Sequence, residues 1–184
     1  MNQTTVTPTP YGPIYIVWAH FDQGPKVVRI LLPKPALTAE QQALGLYPSI
    51  RVDSCPEIDV VGIGIQSLFA GEPVDFSLDL ADLDRCGEFQ KQVLQIEHAI
   101  PRGMVSTYRL IAAHLEKPNA ARAVGNALAN NPFPLLVPCH RAIRSDRTLG
   151  GYQGGLQMKR ELLEKEGIAF SKDGKVVVAN FYYA

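Results

Sequence analysis

The residues best suited to chemistry stand together in Pro134-Leu135-Leu136-Val137-Pro138-Cys139-His140-Arg141, a short apolar run that ends in a thiol, an imidazole and a guanidinium. The run reads as a buried extended segment. Pro138 has no amide proton for a ladder and biases Val137 toward extended geometry, so Cys139 is expected where regular structure stops. A thiol in such company is a candidate for a lowered pKa and for nucleophilic attack, because the thiolate is the reactive form. The plainer alternative is a small buried hydrophobe, which a lone cysteine most often is. Cys55 and Cys86 lie far from it and from each other, with no CxxC pair. That odd, sparse set points to free thiols in a reducing compartment. A zinc site from Cys55 or Cys86 with His20 or His98 is the weaker option, so no metal and no cofactor are expected.

The chain that must position this thiol has 184 residues, of which 46% are hydrophobic and 20% charged. These are the proportions of an ordinary globular protein, with length for one domain or two small ones. No apolar run approaches the length of a membrane span. Residues 1–10 lack the basic and apolar regions of a secretory signal and are expected to be a frayed start. A cytoplasmic location, or a nuclear one in a eukaryote, follows as the expectation. The formal net charge of zero hides an asymmetry: residues 1–84 carry 4 Lys and Arg against 10 Asp and Glu, and residues 85–184 carry 14 against 8. Between 101 and 160 the count is 9 to 2. A basic half joined to an acidic one suits a polyanion contact confined to one face, with a merely solvated surface as the alternative.

The elements follow from pattern. Residues 14–19 and 27–32 are β-branched and aromatic, and Gly24-Pro25 between them supplies a turn, so they predict an antiparallel pair. Residues 33–56 read as loop with a short helix near 39–44. Ile58, Val61, Ile65, Leu68 and Phe69 recur at helical spacing ahead of Gly71, predicting a helix over 57–69. Residues 74–78 suggest another strand, and the acidic stretch 79–84 marks a domain boundary. Beyond it, Phe89, Val93, Ile96 and Ile100 share a helical face that Pro101-Arg102-Gly103 ends. Ser106 is a candidate N-cap for a second helix through Leu115, with Leu110 and Ile111 inward, and Asn119 for a third over 120–129. Two short helices joined by a tight turn suggest helix-turn-helix. The third is nearly bare, with Ala120, Ala121, Ala123, Gly125 and Ala127 around a protruding Arg122. Small residues let a helix lie close to another surface, and its N-terminus favours phosphate. Close packing inside the domain would use the same residues; the basic surroundings favour a nucleic-acid face. Glycines 150, 151, 154 and 155 around Tyr152 suggest a pocket wall that a ligand can approach closely. Residues 158–166 predict a last amphipathic helix stopped by Gly167, and 176–179 a closing strand.

Several segments occur together in a known order: Ile100-Pro101-Arg102-Gly103, Ser106-Thr107-Tyr108, Ala121-Arg122-Ala123-Val124-Gly125, Asn131-Pro132, Pro138-Cys139-His140-Arg141, Gly151-Tyr152-Gln153-Gly154-Gly155 and Leu162-Leu163-Glu164-Lys165-Glu166-Gly167. In this the chain resembles the O6-alkylguanine-DNA alkyltransferases, densely over 85–170 and loosely upstream (Pro10-Tyr11-Gly12-Pro13 and Phe69-Ala70-Gly71-Glu72-Pro73). The resemblance implies an N-terminal ribonuclease-H-like α/β domain over 1–84 and a C-terminal winged helix-turn-helix domain over 85–184. It implies irreversible transfer of an alkyl group from O6 of guanine in double-stranded DNA, and from O4-alkylthymine, to a cysteine. The reaction needs no cofactor and occurs once per molecule, and the protein is expected to be a monomer.

Carried over residue by residue, Cys139 accepts the alkyl group, His140 takes its proton through a water, and Glu166 orients His140. Neighbours on an extended segment point apart, so such a bridge is needed there. Tyr108 donates to the damaged base, and Asn131 is the hinge between the third helix and the active-site segment. Arg122 fills the space of the flipped nucleotide, since O6 is out of a thiol's reach inside the stack. The third helix lies in the minor groove, so Ala121, Ala123 and Gly125, with Ser106, Thr107 and Arg109, are DNA-contact candidates. Gly151, Tyr152 and the carbonyls of Val137, Cys139 or Ala142 would frame the base. Ala142 stands where a valine is usual, and Gln153 where a serine often donates to O6. Three rivals remain: a damage-recognition protein of the same fold, which would lack the cysteine; a winged-helix regulator, which needs no Cys-His-Glu set; and a cysteine hydrolase, which has no use for Arg122.

Overall fold

The computed structural model describes residues 1–34 and 36–184, a mixed α/β protein with six α-helices. It divides into two compact units, residues 1–85 with 132–136, and residues 86–131 with 137–184. The segment 132–136 therefore belongs with the first unit, although it lies far beyond the acidic stretch at 79–84. There the Ile30 amide donates to the Pro132 carbonyl at 2.8 Å, and Phe133, Leu135 and Leu136 are buried. Among the described residues no helix is long and apolar enough to cross a membrane.

The first unit holds β1 (Asn2–Val6), β2 (Ile14–Phe21), β3 (Gly24–Leu31), α1 (Ala39–Leu46), β4 (Arg51–Val52) and α2 (Pro56–Ala70). Its sheet runs β3-β2-β1-β4, antiparallel except for the parallel β1–β4 pair. The two β-branched runs do form a hairpin, but Phe21 pairs with Gly24, so Asp22-Gln23 make the turn and Gly24-Pro25 open β3. The start of the chain is not frayed. Asn2–Val6 pair along β2, Val6 is buried, and the Trp18 indole donates to the Thr4 hydroxyl at 3.1 Å. Thr4, Thr5 and Val6 are β-branched, which suits a strand hydrogen-bonded along the edge of β2. Helix α2 buries Ile58, Val61, Ile65, Leu68 and Phe69 as its spacing predicts. Residues 74–78 form no strand; a 3-10 turn at Leu78–Leu80 follows, opened by Ser77 accepting from the Asp79 amide. A side chain that bonds its own backbone competes with a sheet ladder.

The second unit holds α3 (Glu88–His98), β5 (Ser106–Thr107), α4 (Tyr108–His114), α5 (Ala121–Ala129), β6 (Ala142–Ile143), α6 (Gly155–Lys165), β7 (Ala169–Phe170) and β8 (Val176–Val177). Helices α3, α4 and α5 pack together. Strands β5 and β6 pair in parallel, Ser106 opposite Ala142, while β7 and β8 form an antiparallel hairpin. Val105, Ile143, Leu163, Ile168 and Val176 close one core. Three local expectations shift. Helix α3 buries Val93, Leu94 and Glu97, with Phe89 and Ile96 only half-buried. Thr107 rather than Ser106 caps α4, accepting from the Leu110 amide at 3.1 Å. Helix α5 begins after Ala120 with no side-chain cap, so Asn119 does not serve there.

Candidate active site

Residues 131–143 are buried throughout, yet the stretch is not extended. Leu135 takes a left-handed φ of 75°, and Pro138, at φ −78° and ψ 56°, is the centre of an inverse γ-turn closed by the Cys139 amide on the Val137 carbonyl at 2.8 Å. Proline lacks a donor and its fixed φ fits that turn. Cys139–Arg141 then make one 3-10 turn, with the Arg141 amide on the Pro138 carbonyl. The Asn131 side-chain Nδ2 donates to the Val137 carbonyl at 3.3 Å, and the same side chain also bonds the thiol. The Val137 carbonyl thus has two protein donors already, and the Ala142 carbonyl accepts from Lys159 Nζ at 2.6 Å. Both were candidates to read an exocyclic amine.

His140 is fully buried and places Nε2 2.9 Å from Oε1 of Glu166, the residue that ends α6. Arg141 grips the same carboxylate with Nε 3.0 Å from Oε2 and Nη2 2.7 Å from Oε1, and its Nη1 donates to the Ile100 carbonyl. Burial alone would raise the Glu166 carboxyl; the bonds and charges of His140 and Arg141 outweigh it and hold the group at about 2. An ionised carboxylate only accepts, so His140 carries its proton on Nε2 and keeps the Nδ1 lone pair as base. Nδ1 is buried with no partner among the protein atoms. Burial lowers the His140 pKa against the pull of Glu166, which keeps the ring neutral and able to take a proton.

The thiol departs from the expectation of a lowered pKa. Burial pushes Cys139 up to about 11, against the opposing Asn131 bond. Cys139 at rest is a protonated, unreactive thiol that needs a base at the moment of attack. It lines a small pocket of about 50 Å³ with Tyr108, Gly125, Leu128, Ala129, Gly151 and Tyr152. Burial, then the charges of Glu97 and Cys139, raise the Tyr108 phenol to about 12, so it stays a donor. Gly150, at φ 69°, presses against that phenol: a Cβ there would lie 2.7 Å from the hydroxyl oxygen.

The structure brings Tyr108, Asn131, Cys139, His140, Gly151, Tyr152 and Glu166 into one unit around the thiol, and Gly125 lines the pocket as well. Gln153 points elsewhere, its amide on the Asn131 carbonyl at 2.7 Å. Arg122, Ala123 and Arg109 are exposed and Ala121 is half-buried. Ser106 and Thr107 are interior; the first donates to the Tyr182 carbonyl at 2.7 Å and the second caps α4, so neither hydroxyl faces a ligand.

Three charged residues were missed. Arg141 was seen only as a neighbour of the thiol. Lys159 is 0% exposed, with Nζ 2.6 Å from the carbonyls of Ala142 and Leu149 and 3.4 Å from that of Gly151, tying the glycine loop to β6. Glu97 is 0% exposed on α3. The spacing 159, 162, 163, 166 puts Lys159 on the same helical face as Leu162, Leu163 and Glu166, a signal available in the sequence. Glu97, four residues after Val93, was similarly placed.

A family model described as the DNA-binding domain of 6-O-methylguanine DNA methyltransferase matches residues 88–168. A methylated-DNA–protein-cysteine methyltransferase of Methanothermobacter thermautotrophicus is 43% identical over 119 residues, covering 64% of this chain and 66% of that relative, just under two thirds of its length. One of Mycobacterium leprae is 42% identical over 134 residues, 71% of this chain and 79% of the relative. Among solved structures, Mycobacterium tuberculosis OGT in complex with DNA superposes with a TM-score of 0.73 at 30% identity, over 90% of this chain and 92% of that one. O6-methylguanine-DNA methyltransferase of Pyrococcus kodakaraensis gives 0.67 at 25% identity, over 91% and 99%. The fold and the family match are those of a DNA-binding alkyl-transfer protein. The chain belongs to the methylated-DNA–protein-cysteine methyltransferase family.

Proposed function

We propose that Cys139 is the acceptor in the direct-transfer DNA repair that membership of this family gives the chain. The observation that carries the reading is the chain of contacts from the buried thiol's own turn through His140 to Glu166 and Arg141. A base with its second nitrogen fixed by a carboxylate can deprotonate a thiol whose own pKa is too high for it to ionise alone. The Cys139 S–H proton passes to His140 Nδ1 through a water. The sulfur then forms a bond to the alkyl carbon as the carbon–O6 bond breaks, and the electron pair stays on guanine. Tyr108, a firm donor, offsets that charge by bonding the departing base. The thioether cannot revert, so each molecule acts once.

The substrate in this reading is O6-alkylguanine, and also O4-alkylthymine, in double-stranded DNA. The target base leaves the stack, because a thiol seated in a recessed pocket cannot reach O6 inside it. Helix α5, with exposed Arg122 and Ala123 and the small residues Ala121 and Gly125, is the face for the minor groove, and Arg122 fills the gap. The first unit is ribonuclease-H-like and the second a winged helix-turn-helix, with α4 and α5 as the helix pair and the β7–β8 hairpin as the wing. A protein that only recognised damage would have no use for a thiol with a positioned base.

The test is the intact mass after mixing with duplex DNA bearing one O6-methylguanine. A gain of one methyl, mapped to Cys139 and saturating at one per molecule, is expected. Cys139→Ala should take up none and still bind the duplex; transfer retained by that variant would refute the assignment.

A further inference from the structure

Glu166 serves two partners at once. Its Oε1 accepts from His140 Nε2 at 2.9 Å and from Arg141 Nη2 at 2.7 Å, and its Oε2 accepts from Arg141 Nε at 3.0 Å. The guanidinium thus covers both carboxylate oxygens in the forked geometry that a lysine cannot supply. Its third nitrogen, Nη1, donates to the Ile100 carbonyl at 2.6 Å, just past the end of α3. All three side chains are buried. Lys159, the other buried cation nearby, donates to the carbonyls of Ala142, Leu149 and Gly151 and not to this carboxylate. A buried carboxylate facing an imidazole alone would draw a second proton onto the ring, because the anion is stabilised by a cation beside it. A ring protonated on both nitrogens has no lone pair left for the thiol proton. The guanidinium does not lose its proton, so here the carboxylate is already balanced. An imidazolium would then be a second cation beside a balanced pair in a buried site, and the neutral ring is favoured.

We propose that Arg141 is a positioning residue for the transfer, acting through Glu166: its fork fixes the carboxylate that orients His140, and its charge keeps the ring neutral with Nδ1 open as the base. Arg141 exchanges no proton; the S–H proton passes through a water to Nδ1, which has no partner among the protein atoms. Burial lowers the His140 pKa most, Glu166 opposes it, and the charges of Arg141 and then Lys159 add to the lowering. The groups around the ring are Glu166 and Lys159 from α6, and Cys139 and Arg141 from its own turn. The glycine loop brings the Tyr152 ring edge-on at 6.4 Å, and α3, packed on the same turn, carries the buried Glu97. The inference rests on Cys139 being the alkyl acceptor and His140 its base.

The experiment is the rate of benzyl transfer from free O6-benzylguanine, read by intact mass and peptide mapping, for the wild type and Arg141→Gln across pH. The substitution removes the charge and keeps a donor. The ratio of variant to wild-type rate should fall about tenfold between about pH 8 and about pH 5, the effect of a pK unit or more on the imidazole. Loss of packing alone would lower the rate by one factor at every pH. A flat ratio, with the benzyl group on Cys139, overturns the role of Arg141 and leaves the acceptor standing. Wild-type protein with benzyl on another residue, or with none, overturns both. In case the variant folds poorly, the wild type alone gives a second reading. The 15N-labelled imidazole of His140 should stay neutral, with its proton on Nε2, from about pH 8 down to about pH 6, below the midpoint of an ordinary histidine. A ring already half protonated at about pH 6.5, or one with its proton on Nδ1, would also overturn the proposal.

Discussion

A Cβ on Gly150 would lie 2.7 Å from the Tyr108 hydroxyl, and the φ of 69° is one that L side chains rarely adopt. The backbone there is thus pressed against the phenol that closes the pocket, and the fit leaves no space for a methyl group. In Gly150→Ala something must move, either the phenol out of donor range or the loop that Lys159 ties down through Leu149 and Gly151. The backbone term alone should lower stability by about 1–2 kcal/mol, measurable as the urea midpoint. Transfer should slow as well, more for benzyl than for methyl because the larger group needs the pocket open. Equal rates to the wild type with both groups would show that the phenol and the loop do not set pocket size. The same closeness makes Tyr108 a dependable donor: packed by the loop and half-buried, its phenol is pushed up to about 12 and stays protonated near neutral pH.

At the scale of elements, α5 owes its position to one apolar stripe, Val124, Ala127 and Leu128, which leaves Arg122 exposed on its first turn. If Arg122 holds the flipped state open, Arg122→Ala should slow repair of duplex O6-methylguanine by about tenfold, a modest share of the few kcal/mol that unstacking costs. Reaction with free O6-benzylguanine should hardly change, since no base has to be extruded; an equal loss in both assays would exclude the flipping role. The elements that periodicity located were those whose faces are apolar, α2 and the β2–β3 hairpin above all. It missed β1, whose Asn2-Gln3-Thr4-Thr5-Val6 carries no apolar alternation, and it made an extended segment of 134–138. Apolar composition fits a buried turn as well as a buried strand, and only the dihedral angles of Leu135 and Pro138 distinguish them. Cys139, His140 and Glu166 were legible from the family's motifs. Glu97 and Lys159 went unnoticed because a charged residue on a helix is ordinarily solvated, and their place on apolar helical faces was the one sign that they turn inward.

For the whole molecule, the buried charges make stability depend on pH in two opposed ways. The Glu166 carboxyl is held at about 2 in the folded protein, below its ordinary 4.5. Its contribution is therefore fully present above about pH 5 and is lost as pH falls toward 2, because the unfolded chain takes up the proton first. With the side chain buried, the shift corresponds to about 3 kcal/mol. Glu97 works the other way: its raised value favours the folded state at low pH, and that contribution is lost as pH rises through about 8. Asp146 and Asp173 also sit below their ordinary values, through the hydroxyls of Thr148 and Ser171, but solvent screens them and they add little. Urea unfolding should accordingly give a stability maximum between the two limits. Glu166→Gln should be less stable than the wild type at pH 7, since Arg141 is left buried without its counter-charge. It should also lose less on going from about pH 5 to about pH 2.5, as the group responsible for most of that slope is gone. A wild-type curve flat over that acid range, or a variant with the same slope, would mean that the Glu166 pair is not what ties the active site to folding. Parallel loss of stability and of transfer in the wild type as pH falls would place both on the same carboxylate, the one that fixes His140 and Arg141 together.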